Sequence, residues 1–547
     1  MNPVNWLNTA WMWKCRIELA KFRRSTQSVA TTQVAVLREI LDHNARSEFG
    51  RMHGFAGIRS AAEFQRRVPL AAYADFSEMI DRIGAGEGGV LTGEAVTLLE
   101  PTSGSSGAVK LIPYTASLRA QFQRGIDGWL GDLLHAYPAL RHGRAYWSIS
   151  PALGIEKTTS AGIPIGFDDD TAYLGTVERR ALKHLFAVPP ELAKIKDLEQ
   201  FRYQTLLHLL AAEDLSLISI WSPTFLTVIL SQLERRSADL WRDLPAVRLQ
   251  YRSHRLRRRA DELEKIFASA DSLADKLRRI WRRLTLISCW ADGASARYLG
   301  ELSKLFPNVM VQPKGLLATE GFISFPLARR SGAALALRCH FFEFLDDRGD
   351  LRLADQLENG RSYQVVITTG GGLYRYRLGD TVEVVGFENQ CPLLRFVGRA
   401  DGVIDMVGEK VSENLVRAAL EQTFAKNGLA PQFAMMVPVE DERQPGYRLY
   451  VQGRNDELTS AKLATVRTAL EAALAQNPYY DHALRVGQLG KLQVHALSSS
   501  TESAWEIYEG ECLRRGQKLG DIKPIVLHGA AGWAQCFEPL TEIRASE

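Results

Sequence analysis

The residues best suited to chemistry lie in the run Thr102-Ser103-Gly104-Ser105-Ser106-Gly107-Ala108-Val109-Lys110. Its serines and glycines leave backbone N–H groups bare and add hydroxyl donors, and a lysine follows three residues after the second glycine. Such a loop closes around the oxygens of a nucleotide triphosphate. No Lys-Ser or Lys-Thr follows that glycine, so the spacing departs from the Walker pattern and points to a use of ATP other than hydrolysis.

Four further segments carry candidate groups. In Gly315-Leu316-Leu317-Ala318-Thr319-Glu320-Gly321, Thr319 offers a hydroxyl and Glu320 a carboxylate able to hold Mg²⁺ against phosphate oxygens. Alone, Glu320 reads as a surface carboxylate. The run from Gly370 to Asp380 opens with three glycines, which permit backbone conformations other residues resist. It ends on Asp380, expected in a turn between two strands, where a carboxylate accepts both ribose hydroxyls. The bland reading is a turn aspartate capping its own backbone. Gly398-Arg399-Ala400-Asp401-Gly402, continuing to Lys410 and Asn414, reads as a boundary in which Arg399 contacts ribose or phosphate and Asp401-Gly402 swivels; the bland reading is a charged linker. Late in the chain, Lys518-Leu519-Gly520-Asp521-Ile522-Lys523-Pro524 sets lysines on a short turn, from which one can reach a distant site.

The elements that must position these groups follow from periodicity. Thr31 to Arg46 has Val34, Leu37, Ile40 and Leu41 at helical spacing. Val96 to Leu99 and Lys110 to Ile112 read as strands on either side of the serine-glycine loop. Six more strands are expected at Leu286 to Trp290, Val309 to Gln312, Gln364 to Thr369, Tyr374 to Leu378, Thr381 to Phe387 and Leu393 to Val397. From Ser412 the pattern alternates: a helix to Phe424, strands at Phe433 to Val437 and Arg448 to Val451, a helix from Ser460 to Ala475, a strand at Leu492 to Ala496. Ser503 with Glu506 forms a capping box that opens a last helix. The fold expected is mixed α/β, with a large body at 1–398 and a small mobile α/β domain at 399–547.

With 547 residues the chain exceeds one compact core. A net charge of +4 makes no case for a nucleic-acid partner. The arginine-rich stretch from Arg252 to Arg283 reads better as an amphipathic helix pair, with Leu273, Leu277, Ile280, Trp281 and Leu284 on one face and nearby carboxylates offsetting the charge. Six scattered cysteines without a Cys-x-x-Cys pair suit free thiols in a reducing cytoplasm rather than zinc or disulfides. Lys14, Arg16 and Glu18 interrupt the apolar N-terminus before a signal-peptide core forms, and no membrane span is expected. A cytoplasmic monomer or weak dimer is the expectation.

The order of these segments resembles that of the adenylate-forming enzymes. Within them the chain is similar to the Gretchen Hagen-type acyl acid amido synthetases of auxin-responsive plants, in a bacterial form. Tyr146-Trp147-Ser148-Ile149-Ser150-Pro151, Trp221-Ser222-Pro223-Thr224-Phe225, Phe306-Pro307-Asn308-Val309, Phe342-Glu343-Phe344 and Gly372-Leu373-Tyr374-Arg375-Tyr376-Arg377 carry the likeness, with Gly315 to Gly321. The resemblance implies a large domain of β-sheets and a β-barrel flanked by helices. It also implies ATP and Mg²⁺ as cofactors, and small-molecule carboxylic acid and amine substrates, the amine an amino acid. Acyl-AMP and pyrophosphate would form first, then an amide and AMP. Thr102, Ser103, Gly104, Ser105, Ser106, Gly107 and Lys110 would line the triphosphate, with Ala318 and Thr319 at the α-phosphate or acyl carboxylate. Glu320 would bind Mg²⁺, Asp380 the ribose, and Arg399 with Asp401 the hinge. Lys410 would approach the phosphates, and Lys523, with Lys518 as competitor, would be the late catalytic lysine. Tyr146, Trp147, Trp221, Phe225 and the segment from Trp290 to Tyr298 would wall a pocket for an aromatic or other hydrophobic acid. An acyl-coenzyme A ligase shares the first step; a non-catalytic nucleotide- or acyl-binding module is the reading from another class.

Overall fold

The computed structural model describes residues 3–102, 110–148, 157–166, 185–247, 253–399, 402–439, 444–453, 458–498, 503–517, 519–530 and 532–545. Ser103 to Val109, Asp401 and Lys518 lie outside the described residues.

Three sheets matter for the site. The first is parallel: Arg144–Trp147, Leu215–Ser219, Leu286–Cys289 and Met310–Pro313 lie side by side in chain order. Helices Leu198–Ala211 and Pro223–Arg235 belong to its crossovers. Its two central strands are buried at every position, as in a parallel sheet covered on both faces. The basic stretch folds into helices Ser253–Ala268 and Leu273–Ile280. Leu277, Ile280, Trp281 and Leu284 are buried, and Arg278, Arg279 and Arg282 pair with Asp275, Asp271 and Glu262. This is the amphipathic, charge-balanced arrangement that the spacing predicts.

The second sheet is antiparallel and has seven strands, ordered Ser324–Pro326, Ala333–Leu335, Cys391–Arg399, Tyr376–Glu388, Ser362–Thr368, Phe341–Leu345 and Leu351–Leu353. Where a barrel is expected, the described residues form an open sheet instead, with two edge strands of three residues each. Pro326, which lacks a ladder N–H, sits on one edge. Two separately expected strands fuse into Tyr376–Glu388, so Asp380 is not in a turn. Gln364 pairs with Thr381 and Val366 with Arg377, so three residues bulge opposite Val365. Gly379 at φ 84 absorbs the bend while the ladder continues, and Asp380 lands opposite Arg399 on the neighbouring strand. Helix Val29–Asn44 covers this body with Val36, Leu37, Ile40 and Leu41. Val34 is exposed, because Val36 takes the core position instead.

The third sheet, Phe433–Val439, Gly446–Gln452, Gln493–Leu497 and Thr541–Ala545, belongs to the tail. Alternation along its first strand separates two cores. Ala434 and Met436 pack with helices Glu413–Lys426 and Ser460–Leu474, while Phe433, Met435 and Val437 join the cluster around the parallel sheet. Helix Ala504–Arg514, opened by the Ser503–Glu506 capping box, reaches that cluster with Trp505 and Tyr508, and its Glu509 pairs with Arg202 of Leu198–Ala211. All six cysteines are free thiols. Among the described residues, no helix is long and apolar enough to cross a membrane.

Candidate active site

The Thr319–Glu320 pair occupies the tip of a minimal hairpin. Leu317–Ala318 pairs with Gly321–Phe322, Ala318 facing Gly321, which leaves Thr319 and Glu320 as the two turn residues. Gly315 enters so close to the Ser324 carbonyl that a Cβ would lie 2.0 Å from its oxygen. The Tyr114 hydroxyl donates to the Thr319 carbonyl at 2.6 Å. The Phe322 N–H donates to His340 Nε2 at 2.9 Å, which puts the ring proton on Nδ1. Burial pushes His340 down to about 3, so it stays a neutral acceptor beneath the turn.

Glu320 is buried, and burial first, then the nearby Asp380, holds its carboxyl above the ordinary range, with Arg399 and Lys110 acting in the opposite direction. The Tyr376 hydroxyl points at it from 3.4 Å. Asp380 is buried, with Arg399 Nη1 3.8 Å from its carboxylate. Lys110 arrives from an antiparallel hairpin: Leu98–Thr102 pairs with Lys110–Tyr114, Thr102 facing Lys110, so the serine-glycine residues join the two strands at this point. Two motifs of the sequence act as buttress. Arg375, in the left-handed region at φ 49, pairs with buried Glu343 at 3.0 Å and donates to the carbonyls of Gln65 and Val68. Tyr376 follows directly and is thereby set under Glu320. The glycine run is fixed to helix Ala116–Ala136: Thr115 donates to the Gly370 carbonyl, and the Gly370 N–H to Gln121.

The tail meets this cluster through Glu413. Its N–H donates to the Gly402 carbonyl, and burial raises its carboxyl while Arg417, Lys523 and Arg399 lower it. The Arg399 charge thus acts on both Glu320 and Glu413, with Asp380 its near neighbour at 3.8 Å, and the Lys523 charge acts on Glu413. The Lys523 ammonium is exposed and sits 5.0 Å over the Trp290 ring, while its carbonyl accepts from Tyr508. Lys410 stands apart. At φ 47, it pairs with Asp405 at 2.9 Å on an exposed turn of the tail, whose buried Glu409 accepts from Met406, Val407 and Tyr447. The largest charges acting on Lys410 are Asp405, Tyr479 and Glu409, all of the tail.

Of the four pocket candidates, the structure brings two together. Trp147 and Trp221 flank the ammonium of Lys314, whose Nζ lies 5.8 and 5.1 Å from their ring centres and 5.1 Å from Trp129. Trp290 stacks obliquely on Trp221 at 5.5 Å. Tyr146 is fully buried on the other side of its strand and Phe225 is buried in helix Pro223–Arg235; both are core of the parallel-sheet cluster. Adjacent strand residues point to opposite faces, so Tyr146 and Trp147 part company. Sequence reasoning missed Lys314, Trp129, Tyr114 and His340. For Lys314 a signal existed: a lone lysine between Pro313 and Gly315, where an apolar strand runs into the Thr-Glu motif.

Comparison with known proteins bears on the family and the fold. The family models GH3 N-terminal, central and C-terminal domain match residues 18–311, 333–399 and 413–528 in succession. A probable indole-3-acetic acid-amido synthetase of Oryza sativa subsp. japonica is 28% identical over 486 residues, 80% of this chain and 75% of its own. An indole-3-acetic acid-amido synthetase of Arabidopsis thaliana is 25% identical, covering 72% and 71%. Among solved structures, an acyl acid amido synthetase in complex with 2,4-DB superposes with a TM-score of 0.82 at 20% identity over 96% of both chains. A 2-hydroxyisobutyryl-CoA ligase in the postadenylation state gives 0.51 at 13% identity over 93% and 91%, which places the fold among the adenylate-forming ligases. With all three of its domain models matched in order, the chain belongs to the GH3 family.

Proposed function

We propose that this amide-forming GH3 ligase adenylates an aromatic or other hydrophobic carboxylic acid with ATP and transfers the acyl group to an amino acid. The observation that carries the reading is the convergence of Lys110, Glu320, Asp380, Arg399 and, through Glu413, Lys523 on one spot, although they come from five separate segments. Attack of a carboxylate on the α-phosphate of ATP brings two anions together. Cations and N–H donors must therefore act more strongly in the transition state than before it. In this reading Thr102, Lys110 and the loop from Ser103 to Gly107 hold the phosphates, Thr319 faces the α-phosphate or the acyl carboxylate, and Asp380 takes the ribose hydroxyls. Arg399 orients Asp380 and adds a phosphate or ribose contact.

Among the described residues, no three His, Cys, Asp or Glu side chains gather to hold a metal by themselves. Buried Glu320, with Asp380 beside it, supplies hard oxygen donors, which suit a Mg²⁺ whose shell phosphate oxygens complete. Bound there, Mg²⁺ would neutralise the charge that develops on the phosphates. Lys523, projecting from the tail beside Glu413, is the cation for the adenylation step, and Lys410 reaches the phosphates in a second orientation of the tail. The swivel is placed at Asp401, between a body at 1–398 and a tail at 399–547.

An aromatic acid is favoured by Trp147, Trp221 and Trp290, and by relatives named for indole-3-acetic acid. Free thiols suit a cytoplasmic location. The test incubates enzyme, ATP, Mg²⁺ and an acid panel with pooled amino acids or with coenzyme A, followed by product mass analysis. An amide with AMP release supports the reading; a thioester would replace it with the ligase alternative.

A further inference from the structure

Lys314 is a cation for which the nucleotide chemistry above has no use. Its carbon stem leaves the end of Met310–Pro313, where its N–H donates to the Cys289 carbonyl. One of its three ammonium donors is taken by Ser219 Oγ at 2.8 Å. The faces of Trp129, Trp147 and Trp221 flank the ammonium, while the residue as a whole stays partly exposed. Among the described residues no carboxylate pairs with it, and Cys289 is the only titratable group whose charge acts on it. Asp380, Arg399 and Lys110 act on Glu320, and none of these four is among the charges that act on Lys314.

A lysine drawn in among aromatic rings with no carboxylate beside it is unusual, because desolvating an ammonium is costly. The three tryptophan faces return part of that cost through their attraction for a cation. The location has functional meaning too. Trp147, Ser219 and Lys314 stand at or just past the carboxyl ends of three parallel strands, and Trp221 and Trp290 follow two of the strand ends closely. Open parallel sheets bind their ligands outside those ends.

We propose that Lys314 is a specificity-determining residue that recognises a second oxygen anion on the acyl acid, so that the preferred substrate is an aromatic acid with a carboxylate or phenolate at the end remote from the reacting carboxyl. The planar body lies along the tryptophans. The reacting carboxyl is at Thr319, five residues from Lys314 and so at most roughly 17 Å away along the chain. Burial pulls Lys314 down to about 8, which leaves it charged at neutral pH and ready to pair. This inference rests on the proposed adenylation site and names its substrate class.

The experiment uses phenylacetate, 3-phenylpropionate and 4-phenylbutyrate, each with and without a para ring carboxylate. Binding is read by intrinsic tryptophan fluorescence and adenylation by pyrophosphate release, for wild type, Lys314→Met and Lys314→Arg. In at least one pair the ring carboxylate is expected to raise wild-type affinity and kcat/KM by roughly tenfold to a hundredfold, the scale of one charge-assisted hydrogen bond. Lys314→Met abolishes that preference, so that the two members of each pair are used alike, and Lys314→Arg restores part of it. Ring carboxylates that leave binding unchanged or weaken it throughout the series would overturn the inference. So would a Lys314→Met variant that loses both members of a pair equally, or that raises only the KM for the amino acid. Discriminated binding without pyrophosphate release from any acid would instead overturn the adenylation reading and keep Lys314 as an anion-binding residue.

Discussion

Removal of either member of the Arg375–Glu343 pair is expected to destabilise the body and, through Tyr376, to slow adenylation. The two side chains are 4% and 1% exposed, so neither charge can turn to solvent when its partner is lost. Arg375→Met strands the Glu343 carboxylate with only Gln65 and frees the carbonyls of Gln65 and Val68, a cost of about 4–5 kcal/mol, at the upper end for a broken buried pair. Glu343→Gln keeps the shape and leaves the guanidinium its two carbonyls, so about 3 kcal/mol is expected. The double variant buries no charge and leaves mainly the two carbonyls unsatisfied, about 2–3 kcal/mol. With an unfolding entropy of about 2.1 cal/mol/K per residue, a cooperative unit of roughly 400 residues shifts by a little over 1 °C per kcal/mol. The Arg375→Met melting temperature should therefore fall by about 4–6 °C, and the double variant should recover part of the loss. The assay is tryptophan-monitored melting of all four proteins under identical conditions, with pyrophosphate release on each. Refutation would be an Arg375→Met protein melting within 1 °C of wild type, or a double variant as unstable as the two single losses added.

Glu320→Gln should lower Mg²⁺-dependent pyrophosphate release by roughly 100-fold or more, on the scale of a lost electrostatic group at a reacting centre. Its melting point should not fall. A raised carboxyl pKa means that the folded state holds the proton more tightly, so wild-type stability drops as pH climbs from the ordinary carboxylate value through the raised one, and the amide avoids that loss. Lys523→Ala should depress acyl-adenylate formation by roughly 100-fold. Lys410→Ala should spare stability, since its Asp405 pair is exposed; a large effect at Lys518 with none at Lys523 would move the role to Lys518. His340 has the opposite sign to Glu320. Its pKa falls from 6.5 to about 3 on folding, so the stability it contributes is present above 6.5 and lost as pH drops toward 3. His340→Gln, able to accept from Phe322, should flatten that acid limb in pH-dependent melting; an unchanged limb would contradict the buried neutral ring.

Local rules made much of this legible. The Thr-Glu motif, the hairpin around the serine-glycine run, the capping box at Ser503 and the alternating tail strands all depend on neighbours in sequence, and each has its expected form. Asp380 shows where local reading ends. A Gly-Asp step looks like a turn, yet ladder partners on both sides carry the strand through it as a bulge. The pocket shows the same limit. Tyr146 and Trp147 are equally apolar in sequence, and only the pleat and the choice of covering helices decide that one is core and the other faces Lys314. Lys314 stood out in sequence only as a lone lysine ahead of the Thr-Glu motif; its environment was hidden, because it is assembled from the ends of separate strands and a helix more than 150 residues away. The Phe342-Glu343-Phe344 and Tyr374-Arg375-Tyr376 strings were visible as motifs, but their joint purpose, one buried ion pair beneath the site, needed three dimensions.

The most direct measurement is a rapid-quench single turnover with ATP labelled at the α-phosphate, Mg²⁺ and an accepted acid, first without amine. Labelled acyl-AMP should accumulate to about one equivalent with matching pyrophosphate, then collapse to free AMP and amide when the amino acid is added. Label that passes to AMP or ADP with no acyl-AMP ever trapped, or an adenylate discharged by coenzyme A and not by amines, would contradict the proposed sequence of events.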